Sequence, residues 1–187
     1  MQTSTLGIPL TADQLADRYA ITELLYCHSR ALDRLDAGLM KAVYWEDAEV
    51  DYGGFKGRAH EFADHVMKAL AAQYQLTQHR ISNTLMTLIE SDRIHTESYC
   101  FAKHLSVQGD QEMLYTGRYL DQFVKRDGRW GFIHRCVVMD WSRRFEVRDE
   151  RVEGSFAALT KGDNTAHDPS FRISRGSRGA TCMGDLA

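Results

Sequence analysis

Apolar side chains lay out the first long element. Leu24, Leu25, Ala31 and Leu32 fall at the spacings of one helical face, so a helix is predicted from about Ala12 to Asp33, opened by Thr11 or Asp13. It ends on an acid in the polar break Asp33-Arg34-Leu35-Asp36, against the negative end of the helix dipole. Helix formation does not ask for an acid there. A short second helix is predicted across Gly38 to Trp45. The stretch AEVDYGGFKGR then alternates loosely and breaks at Gly53-Gly54, which reads as strand, turn and short strand. From Ala59 to Tyr74 the helical period returns, with Phe62, Val66, Ala69, Leu70 and Tyr74 on one side.

After Tyr74 the period becomes two. Strands are predicted from Gln78 to Ile89, Ile94 to Val107, Met113 to Lys125 and Trp130 to Trp141, joined by short turns as an antiparallel meander. Helices first and strands afterwards indicate an α+β fold, with helices on one face of a bent sheet. Beyond Trp141 the chain is charged and then rich in Gly, Ser, Arg and Asp. The expected organisation is one domain over residues 1–144. An extension over 145–187 is expected to be flexible in part, or to cover a pocket mouth or a subunit interface.

Composition narrows the classes. The 187 residues, 43% of them hydrophobic, suit a single domain with an ordinary core. A net charge of −3 argues against a nucleic-acid partner or an anionic membrane. No apolar run approaches a membrane span, and the start MQTSTLGIPLTADQ lacks the basic and apolar regions of a signal peptide. A soluble cytoplasmic protein is expected. Cys27, Cys100, Cys136 and Cys182 are scattered, with no CxxC pair, and HExxH and HxH patterns are absent. No metal site is therefore expected. Gly53-Gly54 is too short for a phosphate cradle, and no cofactor is expected either.

His79 stands out on its strand. In a period-two reading Thr77, His79, Ile81, Asn83, Leu85, Thr87 and Ile89 share one face, and its Ile and Leu side chains mark it as the inner one. A histidine and an asparagine placed among apolar side chains need partners, water or a ligand. The plain alternatives are a satisfied core histidine at His79 and a turn-forming acid at Asp33. His95, His104 and His134 also lie on strands but have no evident acid partner. Trp45, Tyr99, Phe101 and Trp141 would suit either the wall of an aromatic cavity or ordinary core.

Five runs then make a pattern: AITELLYCHSRALDRLD, YWEDAEVDY, KG, TQHRISN and YLDQFVKRDGRWGFIHR. Their order and spacing resemble the SnoaL-like branch of the nuclear transport factor 2-like superfamily, over roughly Ala12 to Arg144. The resemblance implies a cone of helices on a curved sheet. In the lyases of this branch, an Asp at the end of the first helix and a His on the strand after the third helix form a catalytic dyad. Asp33 and His79 match those two positions. The departures are His28, where such lyases carry Lys or Tyr, Val50, where one has a pocket Trp, and Met139, near a pocket Arg. The resemblance implies a cofactor-independent lyase acting on a hydrophobic, ring-bearing small molecule, with loss of water, formaldehyde or hydrogen halide. His79 would be the base and Asp33 its orienting partner. His28 or Tyr52 would serve the leaving group, and Asn83, Trp45 and Trp141 would contact substrate. An isomerase and a non-catalytic ligand-binding or oxygenase-subunit role are the alternatives it leaves open. A homodimer or homotrimer is expected.

Overall fold

The computed structural model describes residue 7 and residues 9–174. The terminal run from Arg175 and Cys182 within it lie outside the described residues.

The first helix, α1 (Ala12–Asp33), starts where Thr11 closes a capping box with Gln14, each side chain bonding the other's backbone N–H. It buries Ile21, Leu25, Ala31 and Leu32. The Asp36 side chain accepts from Leu39 N and opens α2 (Ala37–Val43). This helix is shorter than expected, because Tyr44 and Trp45 already belong to β1 (Tyr44–Asp51). A turn leads to β2 (Lys56–Arg58) and then α3 (Ala59–Gln73), which buries Phe62, Ala63 and Met67.

Four long strands follow: β3 (Tyr74–Glu90), β4 (Arg93–Ser106), β5 (Gln111–Arg126) and β6 (Arg129–Glu146). They form the expected antiparallel meander, and β6 runs five residues beyond the predicted end at Trp141. β1 pairs parallel to β6, giving one curved six-stranded sheet in the order β2-β1-β6-β5-β4-β3. Helices cover one face, and the core lies between them and the sheet around Ile21, Leu25, Met40, Phe123 and Phe132. The extension continues through a 3-10 turn (Gly154–Ala158) to α4 (Ser170–Ser174). Among the described residues no helix is long and apolar enough to cross a membrane.

Two bulges decide which side chains face inward. In β3 the pairing shifts between Ile81 and Thr84. A one-residue shift sends every later side chain to the opposite face. The single inner face expected from Thr77 to Ile89 is therefore broken. His79 lies before the bulge and faces α1, Met86 is the buried residue beyond it, and Leu85 is 63% exposed. In β6 the pairing shifts between Phe132 and His134. Trp130 and Phe132 are buried before it, and Arg135 becomes the buried position after it.

Candidate active site

Asp33 is the last residue of α1, and its carboxylate reaches the start of β3. Oδ1 accepts from His79 Nδ1 at 2.7 Å and from Thr77 Oγ1 at 2.9 Å, and the His79 backbone N–H donates to both oxygens at 3.1 and 3.0 Å. The acid that looked unfavourable at a helix end is thus fully served by the adjoining strand. The His79 and Asp33 side chains are only 7% and 13% exposed. Nδ1 is committed to the carboxylate, which leaves Nε2 as the nitrogen open to another molecule.

The His79 ring lines a cavity of about 190 Å³ beneath α3. Leu32, Val66, Leu70, Met113 and Val137 supply its apolar wall, and Tyr52, Tyr115, Tyr119 and His104 its polar one. His104 stands edge-on to His79 with centroids 5.2 Å apart. Its ring bonds the Met113 backbone, and its Nδ1 is buried without a hydrogen-bond partner. Burial, helped by the neighbouring His79, lowers the His104 pKa to about 4, so this ring is neutral at pH 7. Burial likewise pushes the Tyr52, Tyr115 and Tyr119 phenols up, so all three keep their protons. Tyr115 crosses the face of Gly117 to reach the Val138 carbonyl at 2.9 Å.

Behind this wall lies a buried ion pair. Arg135 makes a two-pronged bond to Asp121 at 2.6 and 2.7 Å, and both side chains are fully buried. Its guanidinium sits 4.0 Å from the Tyr119 ring centroid and donates to the His28 ring at 2.8 Å. Burial opposes the charge on Arg135, and the Asp121 carboxylate more than offsets that, so the guanidinium stays charged. His28 has to accept from a group that can only donate. Burial and the Arg135 charge hold its pKa well below the usual value, and the ring is neutral. The Tyr52 hydroxyl lies 3.4 Å from His28 Nε2 and links this network to the cavity.

Several candidates from the sequence fall elsewhere. His28 stands behind Tyr52 and does not line the cavity. Asn83 is exposed, because the β3 bulge removes it from the face of His79. Trp45 is a structural cap: its Nε1 donates to the Val124 carbonyl and its ring is stacked by Arg126 and Arg129. Trp141 is 49% exposed and stacks on Arg143, and Tyr99 is also 49% exposed. Neither lines the cavity, and nor does Phe101. Among the described residues no three metal-ligating side chains converge.

His104, Tyr115, Tyr119, Asp121 and Arg135 were missed. A signal existed on β4, where the alternate positions Thr96, Ser98, Cys100 and Ala102 are small and leave room beneath the helices. Period two then carries His104 to the same face. No such signal existed for Arg135, which only the β6 bulge turns inward.

A SnoaL-like domain model matches residues 13–136, the stretch holding all but the first residue of α1, the cavity wall except Val137, and the Asp121–Arg135 pair. The chain belongs to the SnoaL-like domain family. Within the family it is similar to hexachlorocyclohexane dehydrochlorinase 1 of Sphingobium indicum, at 27% identity over 123 residues, 63% of this chain and 78% of that protein. Gamma-hexachlorocyclohexane dehydrochlorinase from the same species is 27% identical over 134 residues, 69% of this chain and 84% of that protein. Among solved structures, a Novosphingobium aromaticivorans protein provisionally described as a scytalone dehydratase superposes with a TM-score of 0.67. It has 24% identity and covers 74% of this chain and 94% of its own. The SnoaL-like chain thus has the open, curved-sheet cone of the nuclear transport factor 2-like superfamily.

Proposed function

We propose that the protein is a cofactor-independent lyase acting on a hydrophobic, ring-bearing small molecule, with His79 as general base and Asp33 as its orienting partner. The 2.7 Å Asp33–His79 bond beside a ring-lined cavity carries this reading. Asp33 holds the tautomer with Nδ1–H and steadies the imidazolium formed when Nε2 takes a proton from substrate carbon. The electron pair left behind forms the new double bond, and the leaving group departs from the neighbouring carbon. Tyr52, backed by His28 and Arg135, gives that group its proton and is recharged by the proton His79 has taken. The names of the dehydrochlorinase relatives support an elimination. Water or hydrogen halide can leave by this chemistry. Formaldehyde leaves when His79 Nε2 instead takes the O–H proton of a substrate CH2OH group: the O–H pair becomes the carbonyl, and the released C–C pair forms the double bond as hydroxide, protonated by Tyr52, departs from the next carbon.

A second reading, an isomerase that returns the proton, is favoured by the Tyr52 phenol in the wall, which can donate to an enolate oxygen. Metal-free incubation with hydroxylated and halogenated ring compounds, followed by mass spectrometry, separates the two. A product lighter by the leaving group supports the lyase, and an isomer of unchanged mass supports the second reading. His79→Ala and Asp33→Asn should each lower kcat by about 10²–10⁴. An active His79→Ala protein would sink the dyad.

A further inference from the structure

A second cleft, of about 270 Å³, opens beside the dyad and is lined by Tyr26, Arg30, Asp33, Arg34 and His79 among others. Arg34 follows Asp33 in the chain and shares this cleft with its carboxylate. A guanidinium free to turn there would pair with the carboxylate more strongly than a neutral imidazole does. Arg34 instead has other partners. Its Nη1 donates to the Asp33 carbonyl at 2.9 Å, and its Nε lies 3.2 Å from Asp168 Oδ1. Asp168 belongs to the C-terminal extension and is 4% exposed. The Asp163 N–H, the Ser170 N–H, each at 3.0 Å, and the Ser170 hydroxyl all donate to it. Burial opposes its charge, but these donors and Arg34 outweigh burial and hold its carboxyl at about 2. Arg30, the other cation of the cleft, is drawn to the extension as well: Nη1 reaches Ser170 Oγ at 3.1 Å, and the guanidinium lies 5.0 Å over Phe171.

We propose that Asp168 is a positioning residue for the dyad: its carboxylate holds the Arg34 guanidinium away from Asp33, so that the Asp33 carboxylate belongs to His79. This rests on the Asp33–His79 reading above. The charged and titratable groups around the pair divide by side. Tyr26 and Arg30 of α1 and Arg34 at its C-terminal cap face the cleft, with Asp168 of the extension against Arg34, while His104 of β4 and His28 of α1 stand neutral on the other side. The Arg34–Asp168 contact is one of charge, because Arg34 Nε has no aligned hydrogen-bond acceptor. An uncharged isostere, Asp168→Asn, therefore releases Arg34; its single amide oxygen keeps one of the two backbone bonds of the turn, from Ser170 or Asp163, and the double variant below separates the lost bond from the lost charge.

The test reads the His79 Nδ1 nitrogen-15 shift in histidine-labelled protein at pH 7.5, assigned by its loss in His79→Gln. Amide spectra confirm that each variant is folded. The wild type and Arg34→Gln should show Nδ1 as a proton-bearing donor, and Asp33→Asn should abolish that state. Asp168→Asn should move the shift toward the Asp33→Asn value, and Arg34→Gln/Asp168→Asn should return it to wild type. An unmoved shift in Asp168→Asn overturns the proposal. So does an equal displacement in the double variant, which would mean that Asp168 only anchors the extension. A wild-type shift that ignores Asp33→Asn overturns the dyad reading itself, and is recognised by that control.

Discussion

Acid should unfold this protein through a histidine in its cavity wall. His104 has its pKa lowered from 6.5 to about 4 in the folded state, by burial first and His79 second. The unfolded chain takes up a proton near pH 6.5 that the folded chain refuses until about pH 4. The stability linked to this neutral ring is therefore fully present above pH 6.5 and is lost as pH falls from there toward 4. At about 1.4 kcal/mol per unit, two and a half units amount to roughly 3 kcal/mol, an upper figure for a ring that lines a cavity. His28, buried and neutral, pushes the same way, so the wild type should fall by more than this one contribution. Urea unfolding at pH 7 and pH 4, in wild type and His104→Gln, measures the difference. The loss of stability between the two pH values should be smaller in the variant by about 2–3 kcal/mol. Equal losses would refute the assignment of His104 as a neutral buried group.

Arg135→Met should destabilise by about 3–5 kcal/mol in denaturant unfolding, because Asp121 is left charged and buried. Asp121→Leu/Arg135→Met should recover most of that. A double variant no more stable than the single would show that the cost comes from the lost His28 and Tyr119 contacts of Arg135 instead of the unpaired Asp121 charge. Gly117→Ala should cost about 1–3 kcal/mol and displace Tyr115 from the cavity wall, since an added Cβ would meet the Tyr115 hydroxyl and the Val138 carbonyl at 2.2 Å. Thermal unfolding and tyrosine fluorescence read both effects, and an unchanged melting temperature would contradict the packing. The sheet face turned away from the helices exposes Leu85, Tyr99 and Leu120, and a groove of about 380 Å³ runs beside Leu85 and Leu120. A second copy is expected to cover it. Light scattering should show a dimer or trimer that Leu120→Arg weakens; a monomeric wild type would refute this.

Much of the architecture was open to local reading. The 3.6 period and the Thr11 cap mark α1, and the change to period two after α3 marks the meander, because these patterns follow from which side chains one element can bury. Asp33 and His79 could each be noticed alone, as a costly acid and a polar residue among apolar ones. Their 2.7 Å meeting, across 46 positions of chain, depends on how α1 lies on β3. The rest came from how distant segments of the chain pack together. The bulges in β3 and β6 each reverse a strand's alternation, which removes Asn83 from the site and brings Arg135 in. The opposition of Asp121 and Arg135 is a matter of register between neighbouring strands. The aromatic residues Trp45 and Trp141 have the same local character whether buried or exposed, so their exclusion from the cavity came from packing alone. Alternation and capping are properties of a few adjacent residues, whereas register, bulges and cavity walls are set by the fit between segments far apart in the chain.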